Sequence, residues 1–162
     1  MLPSLSPVDM AVGRFTAGPD DLGILLASSA GVALFAIHQG GIYAFRIDDF
    51  AAEVLQGVDL NGDGFTDLIA NQGEGALNER PPQIYSLLST GRSILDPSGG
   101  PFFRKLEEYS SHDNHQDGMH VVDVNGDGVV DHIQTGVDNC VAVRHGELVD
   151  GTVRFQSDWG RY

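Results

Sequence analysis

The sequence contains a single cysteine, Cys140, among its 162 residues. One cysteine cannot form an internal disulfide, so a small domain held together by disulfide bonds is excluded. No activating side chain lies beside Cys140 in the sequence, and we therefore expect a small buried side chain rather than a reactive thiol. The cysteine content leaves the cellular compartment open.

Positive charge is also scarce, with 9 Lys and Arg against 23 Asp and Glu and a net charge of −14. Such a surface repels phosphate groups, so we expect no nucleic-acid partner and no attraction to anionic membranes. The longest apolar runs, residues 24–27 and 32–37, are far too short to cross a bilayer. Residues 1–10 lack the basic and apolar segments of a signal peptide. These features predict a soluble domain without membrane insertion.

Proline is infrequent and glycine abundant, with 7 Pro and 21 Gly, which favours many tight turns. The hydrophobic fraction of 41% is typical of globular proteins. A chain of this length buries roughly 70% of the surface that its unfolded form exposes. We therefore expect one domain, residues 1–162, with a proper core.

An eleven-residue motif occurs twice, at residues 57–67 and 121–131, with a spacing of 64 residues. A degenerate copy at residues 12–22 lacks the first acidic positions. Short apolar or alternating runs bounded by Gly, Asn and Asp follow each copy, and such runs are typical of strands. The sequence thus predicts an all-β fold of three four-stranded antiparallel units, with approximate limits 8–50, 51–108 and 117–162.

Residues 102–104 and 153–155 are expected to be the strands that close the second and third units. Residues 48–55 are the nearest approach to a helical period, and residues 72–82 and 93–117 are expected to be loops.

Each full copy of the motif contains oxygen-bearing residues at positions 1, 3, 5 and 9 of a nine-residue loop. We call residues 59–67 loop 1 and residues 123–131 loop 2. Calcium requires six to eight oxygen ligands, which carboxylates, amides and backbone carbonyls supply. Glycine at position 6 permits the sharp turn, and the carbonyl of position 7 is available as a ligand. The predicted calcium ligands are Asp59, Asn61, Asp63, Phe65 (carbonyl) and Asp67 in loop 1, and Asp123, Asn125, Asp127, Val129 (carbonyl) and Asp131 in loop 2.

The alternative interpretation is a pair of Asn-Gly hairpin turns, which would explain the glycines and asparagines. It does not explain three carboxylates within nine residues, twice, because these repel one another without a cation. Position 12 holds Ala70 or Gln134 instead of the bidentate glutamate of a helix–loop–helix site. Dockerin-type loops lead into helices, whereas these loops lead into the strand-like residues 68–69 and 133.

The signature Asp-x-Asn-Gly-Asp-Gly-x-x-Asp at 59–67 and 123–131 resembles FG-GAP/VCBS-type repeats, the blades of integrin-α-like β-propellers. The third unit is also similar to propeller segments of bacterial toxin-complex proteins. The resemblance implies propeller blades, two bound calcium ions at the ligands named above, an unidentified protein or glycan partner, and an extracellular or cell-surface location. It implies no enzymatic activity and no catalytic residues. Propellers of this family usually have about seven blades, so the three units here imply a fragment, an assembly of several copies, or a compact variant.

Two other functions remain open at this point. The chain could be a structural subunit that completes a larger assembly by self-association or with another chain. It could instead be a metal-dependent hydrolase that uses His112, His115 and His120, although a solvated loop is the simpler interpretation of this cluster. His120 and His132 flank loop 2 and could line a shared ligand-binding edge.

Two single residues also carry predictions. At the degenerate copy we expect no calcium, with Arg14 supplying positive charge beside Asp20 or Asp21. Trp159 is a candidate interaction residue.

Overall fold

The computed structural model describes residues 8–18, 22–28, 31–47, 52–72, 83–96, 98–110, 118–137, 140–158 and 160–161. Every regular element within these ranges is a β-strand, which confirms the prediction of an all-β chain. In the same ranges there is no helix of the length and apolar character that crossing a membrane requires.

In these described ranges, fourteen strands form three four-stranded antiparallel sheets and one separate hairpin. Sheet 1 contains, in spatial order, β1 (Asp9–Gly13), β2 (Leu22–Ser28), β3 (Gly31–His38) and β4 (Gly41–Ile47). Sheet 2 contains β5 (Val54–Val58), β6 (Asp67–Gln72), β7 (Gln83–Ser89) and β8 (Phe103–Ser110). Sheet 3 contains β9 (Gly118–Val122), β10 (Asp131–Val137), β11 (Cys140–Arg144) and β14 (Gly160–Arg161). The hairpin consists of β12 (Gly146–Val149) and β13 (Thr152–Phe155).

Turn residues determine where several strands end. Strands β3 and β4 pair up to His38 and Gly41, so only Gln39 and Gly40 form the turn, with φ of 47° and 78°. Strands β12 and β13 are joined in the same way by Asp150 and Gly151, with φ of 51° and 77°. Positive φ at both central residues is the requirement of the two-residue turn whose twist matches that of a hairpin.

The three sheets follow one another in chain order, because β1 contacts β5 and β5 contacts β9. One buried cluster lies between sheets 1 and 2 and includes Leu25, Leu34 and Leu68, all fully buried. A second cluster lies among sheet 2, sheet 3 and the hairpin and includes Ile69 and Met119. Burial of one such side chain contributes about 1.5–3 kcal/mol, so these two clusters are the main source of stability.

Three assignments from the sequence were wrong in part. Residues 52–55 are not helical, and Val54 and Leu55 begin β5, while residues 48–51 lie outside the described ranges. Residues 105–110, expected to lie in the loop 93–117, belong to β8, the edge strand of sheet 2, which begins within the predicted closing strand 102–104 and exposes Arg104, Lys105 and Glu108. Residues 153–155 belong to the separate hairpin, so the strand that closes the third sheet is β14.

Candidate metal centres

Loops 1 and 2 each connect the first strand of a sheet to its second strand. Loop 1 runs from β5 into β6, and loop 2 runs from β9 into β10. Glycines at positions 4 and 6 adopt positive φ in both loops, at 73° and 81° for Gly62 and Gly64 and at 77° and 86° for Gly126 and Gly128. Because a β-carbon disfavours this region, glycine permits the chain to reverse within nine residues.

The acidic side chain at position 1 binds backbone N–H groups of its own loop. In loop 1, Asp59 accepts hydrogen bonds from the amides of Gly62 and Gly64, at 2.7 and 3.0 Å. In loop 2, Asp123 accepts the equivalent bonds from Gly126 and Gly128, at 2.7 and 2.8 Å. These bonds lower the pKa of Asp123 below its usual value, and the bond from Gly128 has the largest effect. This carboxylate is therefore ionised at neutral pH.

Positions 3 and 5 are joined by the same bonds in both loops. The Nδ2 group of Asn61 donates to Asp63 at 2.9 Å, and the Nδ2 group of Asn125 donates to Asp127 at 2.8 Å. The amide at position 7 donates to the carboxylate at position 5, at 2.8 Å from both Phe65 and Val129. The two loops therefore share one conformation as well as one signature.

Position 9 is the first residue of the second strand, and its carboxylate is fully buried in both loops. Asp67 accepts hydrogen bonds from the amides of Leu60 at 2.8 Å and Ser89 at 2.7 Å. Burial raises the pKa of Asp67 to about 6 despite these bonds, and the negative charges of Asp63 and Asp59 raise it further. Loop 1 thus contains a carboxylate whose charge its own surroundings do not balance.

Asp131 has the corresponding role in loop 2. It accepts hydrogen bonds from the amides of Val124 at 2.9 Å and Gly146 at 2.8 Å, and His145 Nδ1 lies 3.3 Å from its Oδ1. Sequence reasoning did not identify Ser89, His145 or Gly146. The signal that could have found them is antiparallel pairing, because the end of the third strand returns beside the start of the second.

The donor chemistry of both loops fits calcium. Among the residues that the structure describes, no group of three or more acidic, histidine or cysteine side chains is arranged so that it could hold a metal ion. Calcium, however, also accepts amide and backbone carbonyl oxygens, which positions 3 and 7 offer. A carboxylate has about four lone-pair sites, and the hydrogen bonds to Asp63 and Asp67 use two each, so these oxygens retain acceptor capacity.

Loop 1 is held by both of its neighbouring units. The amide of Thr66 donates to the carbonyl of Arg14, and the amide of Arg14 donates to Thr66 Oγ1. The Arg14 guanidinium also lies 4.8 Å from the centre of the Phe65 ring. On the other side, the amide of Val153 in the hairpin donates to the carbonyl of Leu60 at 2.7 Å. Arg14 is therefore placed beside loop 1, while Asp20 and Asp21, its predicted partners, lie outside the described residues.

The proposed histidine edge beside loop 2 is wrong. His132 pairs with Val121 and faces sheet 2, where its ring lies 5.9 Å from the rings of Tyr109 and Phe155, whereas His120 is on the opposite face. Burial, followed by the charge of Arg144, lowers the pKa of His132 to about 3, so this side chain is a neutral core residue. His112, His115 and Trp159 lie outside the described residues.

No known protein-family model matches the chain, and a search of curated proteins finds no significant match.

Proposed function

We propose that the protein is a non-enzymatic, calcium-binding module whose two loops are stabilised by calcium and whose repeated sheets bind a protein or glycan partner. The observation that supports this most is that two loops 64 residues apart have the same acidic and amide side chains and the same hydrogen bonds. A simple hairpin turn needs neither a buried aspartate at position 9 nor two further carboxylates.

The charges of loop 1 give the physical reason for a metal. Burial is the main cause of the raised pKa of Asp67, and repulsion from Asp63 and Asp59 raises it further. Bound calcium would supply two positive charges that offset this repulsion. Because the folded loop binds and the unfolded chain does not, each loop would gain about 1.4–2.7 kcal/mol at ten to a hundred times its Kd.

The FG-GAP/VCBS resemblance extends this proposal to the fold and the setting. Three four-stranded sheets that meet through their first strands are consistent with propeller blades. Loops of this kind in extracellular modules typically have a Kd of about 10⁻⁴–10⁻³ M, which suits the calcium concentration outside cells. We therefore place the protein outside the cell or on its surface.

Calorimetric titration with Ca²⁺ and thermal unfolding with and without EDTA test the calcium proposal. We expect saturable binding to two sites and a melting temperature raised by several degrees, with both effects abolished by the double variant Asp59→Ala, Asp123→Ala. The matched control is Asp150→Asn with Asp158→Asn, which removes the same charge from exposed residues outside both loops. A wild-type protein that takes up no calcium and gains no stability would show that the loops are ordinary turns.

A further inference from the structure

The two central strands of sheet 1 are apolar on both faces, and the exposed Arg46 on the edge strand β4 is the charged residue of the second face within the described ranges. Strands β2 and β3 are almost continuously hydrophobic, with sequences LGILLAS and GVALFAIH. A strand that faces solvent on one side alternates apolar with polar residues, whereas a strand covered on both sides does not. One face of sheet 1 packs on sheet 2, and we call the other face, which contains Met10 and Ile42, the open face of sheet 1.

This second face is exposed along both edge strands and partly buried at its centre, where Ala33 is 2% exposed. Met10 on β1 is 60% exposed and Ile42 on β4 is 73% exposed, and Val8, Val12 and Leu22 are also exposed. The register places these even-numbered residues opposite the buried set that contains Ala11 and Leu25. In the described part of this face there is no acidic residue, although the chain carries a net charge of −14.

The other two sheets show what covers a face of this kind. Met10, Leu55 and Met119 are each the second residue of the first strand of their sheet. Leu55 is 1% exposed because sheet 1 covers it, and Met119 is 3% exposed because sheet 2 covers it. In both cases the cover is the opposite face of the preceding sheet.

Sheet 3 has the complementary open face at the other end. Ile69 of sheet 2 is fully buried against sheet 3, and its counterpart 64 residues later, Ile133, is only partly buried. Val122 and Val141 on the same face of sheet 3 are exposed. The chain therefore offers one open face of each type, and those two types already meet twice within it.

We infer that the open face of sheet 1 docks on the open face of sheet 3 of a second copy of this chain, repeating the contact that joins sheets 1 and 2 and sheets 2 and 3. The partner is a second copy because the two open faces are of the same two types that already pack against each other inside the chain. Such a contact is head-to-tail, so each copy uses two different surfaces, and repetition of the contact gives a ring if the rotation between copies closes and a filament if it does not. This inference does not depend on calcium binding.

Sedimentation velocity over a concentration series tests this inference, with one charged variant on each face. We expect the wild-type protein to form dimers or larger species, and Met10→Lys or Val141→Lys to reduce each protein to a monomer. A mixture of the two variants should regain a 1:1 dimer, because Met10→Lys keeps an intact sheet 3 face and Val141→Lys keeps an intact sheet 1 face. Leu148→Lys, at a 64% exposed residue of the separate hairpin, is the control and should leave association unchanged.

Two results would overturn the inference. A wild-type protein that stays monomeric at all concentrations shows that the two faces do not meet. Dissociation by Met10→Lys without any effect of Val141→Lys shows that sheet 1 pairs with itself or with another surface. If Met10→Lys does not fold, as judged by circular dichroism, Ile42→Lys at the exposed edge strand replaces it in both comparisons.

Discussion

The substitution Asp67→Asn distinguishes two effects of one carboxylate, its hydrogen bonds to backbone amides and its unfavourable negative charge. In the wild-type protein, Asp67 accepts hydrogen bonds from the amides of Leu60 and Ser89 while it is repelled by Asp63 and Asp59. Asparagine has nearly the same shape but can accept at only one of its two terminal atoms, and its NH₂ group then faces the second backbone N–H. The variant therefore removes the repulsion and leaves one buried donor without an acceptor.

The magnitudes of these two effects nearly cancel without calcium. Folding raises the pKa of Asp67 from 3.8 to about 6, so the folded protein binds this proton more tightly than the unfolded chain does. The resulting contribution to the free energy of unfolding is fully present below pH 3.8 and is lost as the pH rises through 6. At neutral pH the ionised carboxylate thus costs about 3 kcal/mol, which asparagine would relieve. A buried donor left unsatisfied costs about 1–3 kcal/mol. We expect the free energy of unfolding in EDTA to change by less than about 2 kcal/mol.

The stability gained on adding calcium should differ clearly between the wild-type protein and Asp67→Asn. Urea unfolding at pH 7.5, in EDTA and in saturating Ca²⁺, measures the calcium increment for each protein. The wild-type protein should gain stability from both loops, whereas Asp67→Asn should keep only the increment from loop 2. Asp150→Asn is the control, because Asp150 is exposed and asparagine tolerates its positive φ. A variant that is severely destabilised in EDTA but keeps the full increment would refute the assignment of Asp67 as a ligand.

Two further predictions concern residues that pack beside loop 2. In the folded protein His132 stays neutral down to its pKa of about 3, whereas in the unfolded chain the same side chain is protonated below pH 6.5. The free energy of unfolding should therefore fall as the pH is lowered from 6.5 to 3. His132→Leu should remove most of this fall, on the order of 4 kcal/mol, in urea titrations in EDTA, and an unchanged acid dependence would contradict it. Gly146→Ala would place a β-carbon 2.1 Å from the carbonyl oxygen of Val130, so we expect a loss on the order of 2 kcal/mol and weaker calcium binding at loop 2. Unfolding that differs from wild type by less than about 0.5 kcal/mol would show that the backbone yields there.

The sequence predicted those parts of the fold in which a local pattern is decisive. The apolar runs of β2 and β3 and the glycines of both loops are local signals that need no long-range information, because continuous apolar character is typical of strands and positive φ is readily adopted by glycine. Residues 105–110 were misassigned because an edge strand rich in exposed charged residues lacks the apolar pattern of a strand. Residues 153–155 were predicted as a strand but assigned to the wrong sheet, because the position of the hairpin β12–β13 depends on packing against sheet 2, which a local pattern does not encode.

The site was predictable in its ligands but not in its supports. Positions 1, 3, 5 and 9 are close in sequence, so their spacing alone brings them together. The amides of Ser89 and Gly146 come from distant residues that only sheet register places beside Asp67 and Asp131. His132 could not be recognised as a core residue, because the sequence does not show which face of β10 is turned towards sheet 2.

The position of loop 1 between its neighbours has a consequence for cooperativity. In a linear array of repeats each unit touches only the next one, and terminal units can therefore unfold separately. Here the backbone of a single nine-residue segment is bonded to Arg14 on one side and to Val153 on the other, so residues about 140 positions apart in the chain share one junction. We therefore expect disorder at this junction to weaken the attachment of the first unit and of the hairpin at the same time.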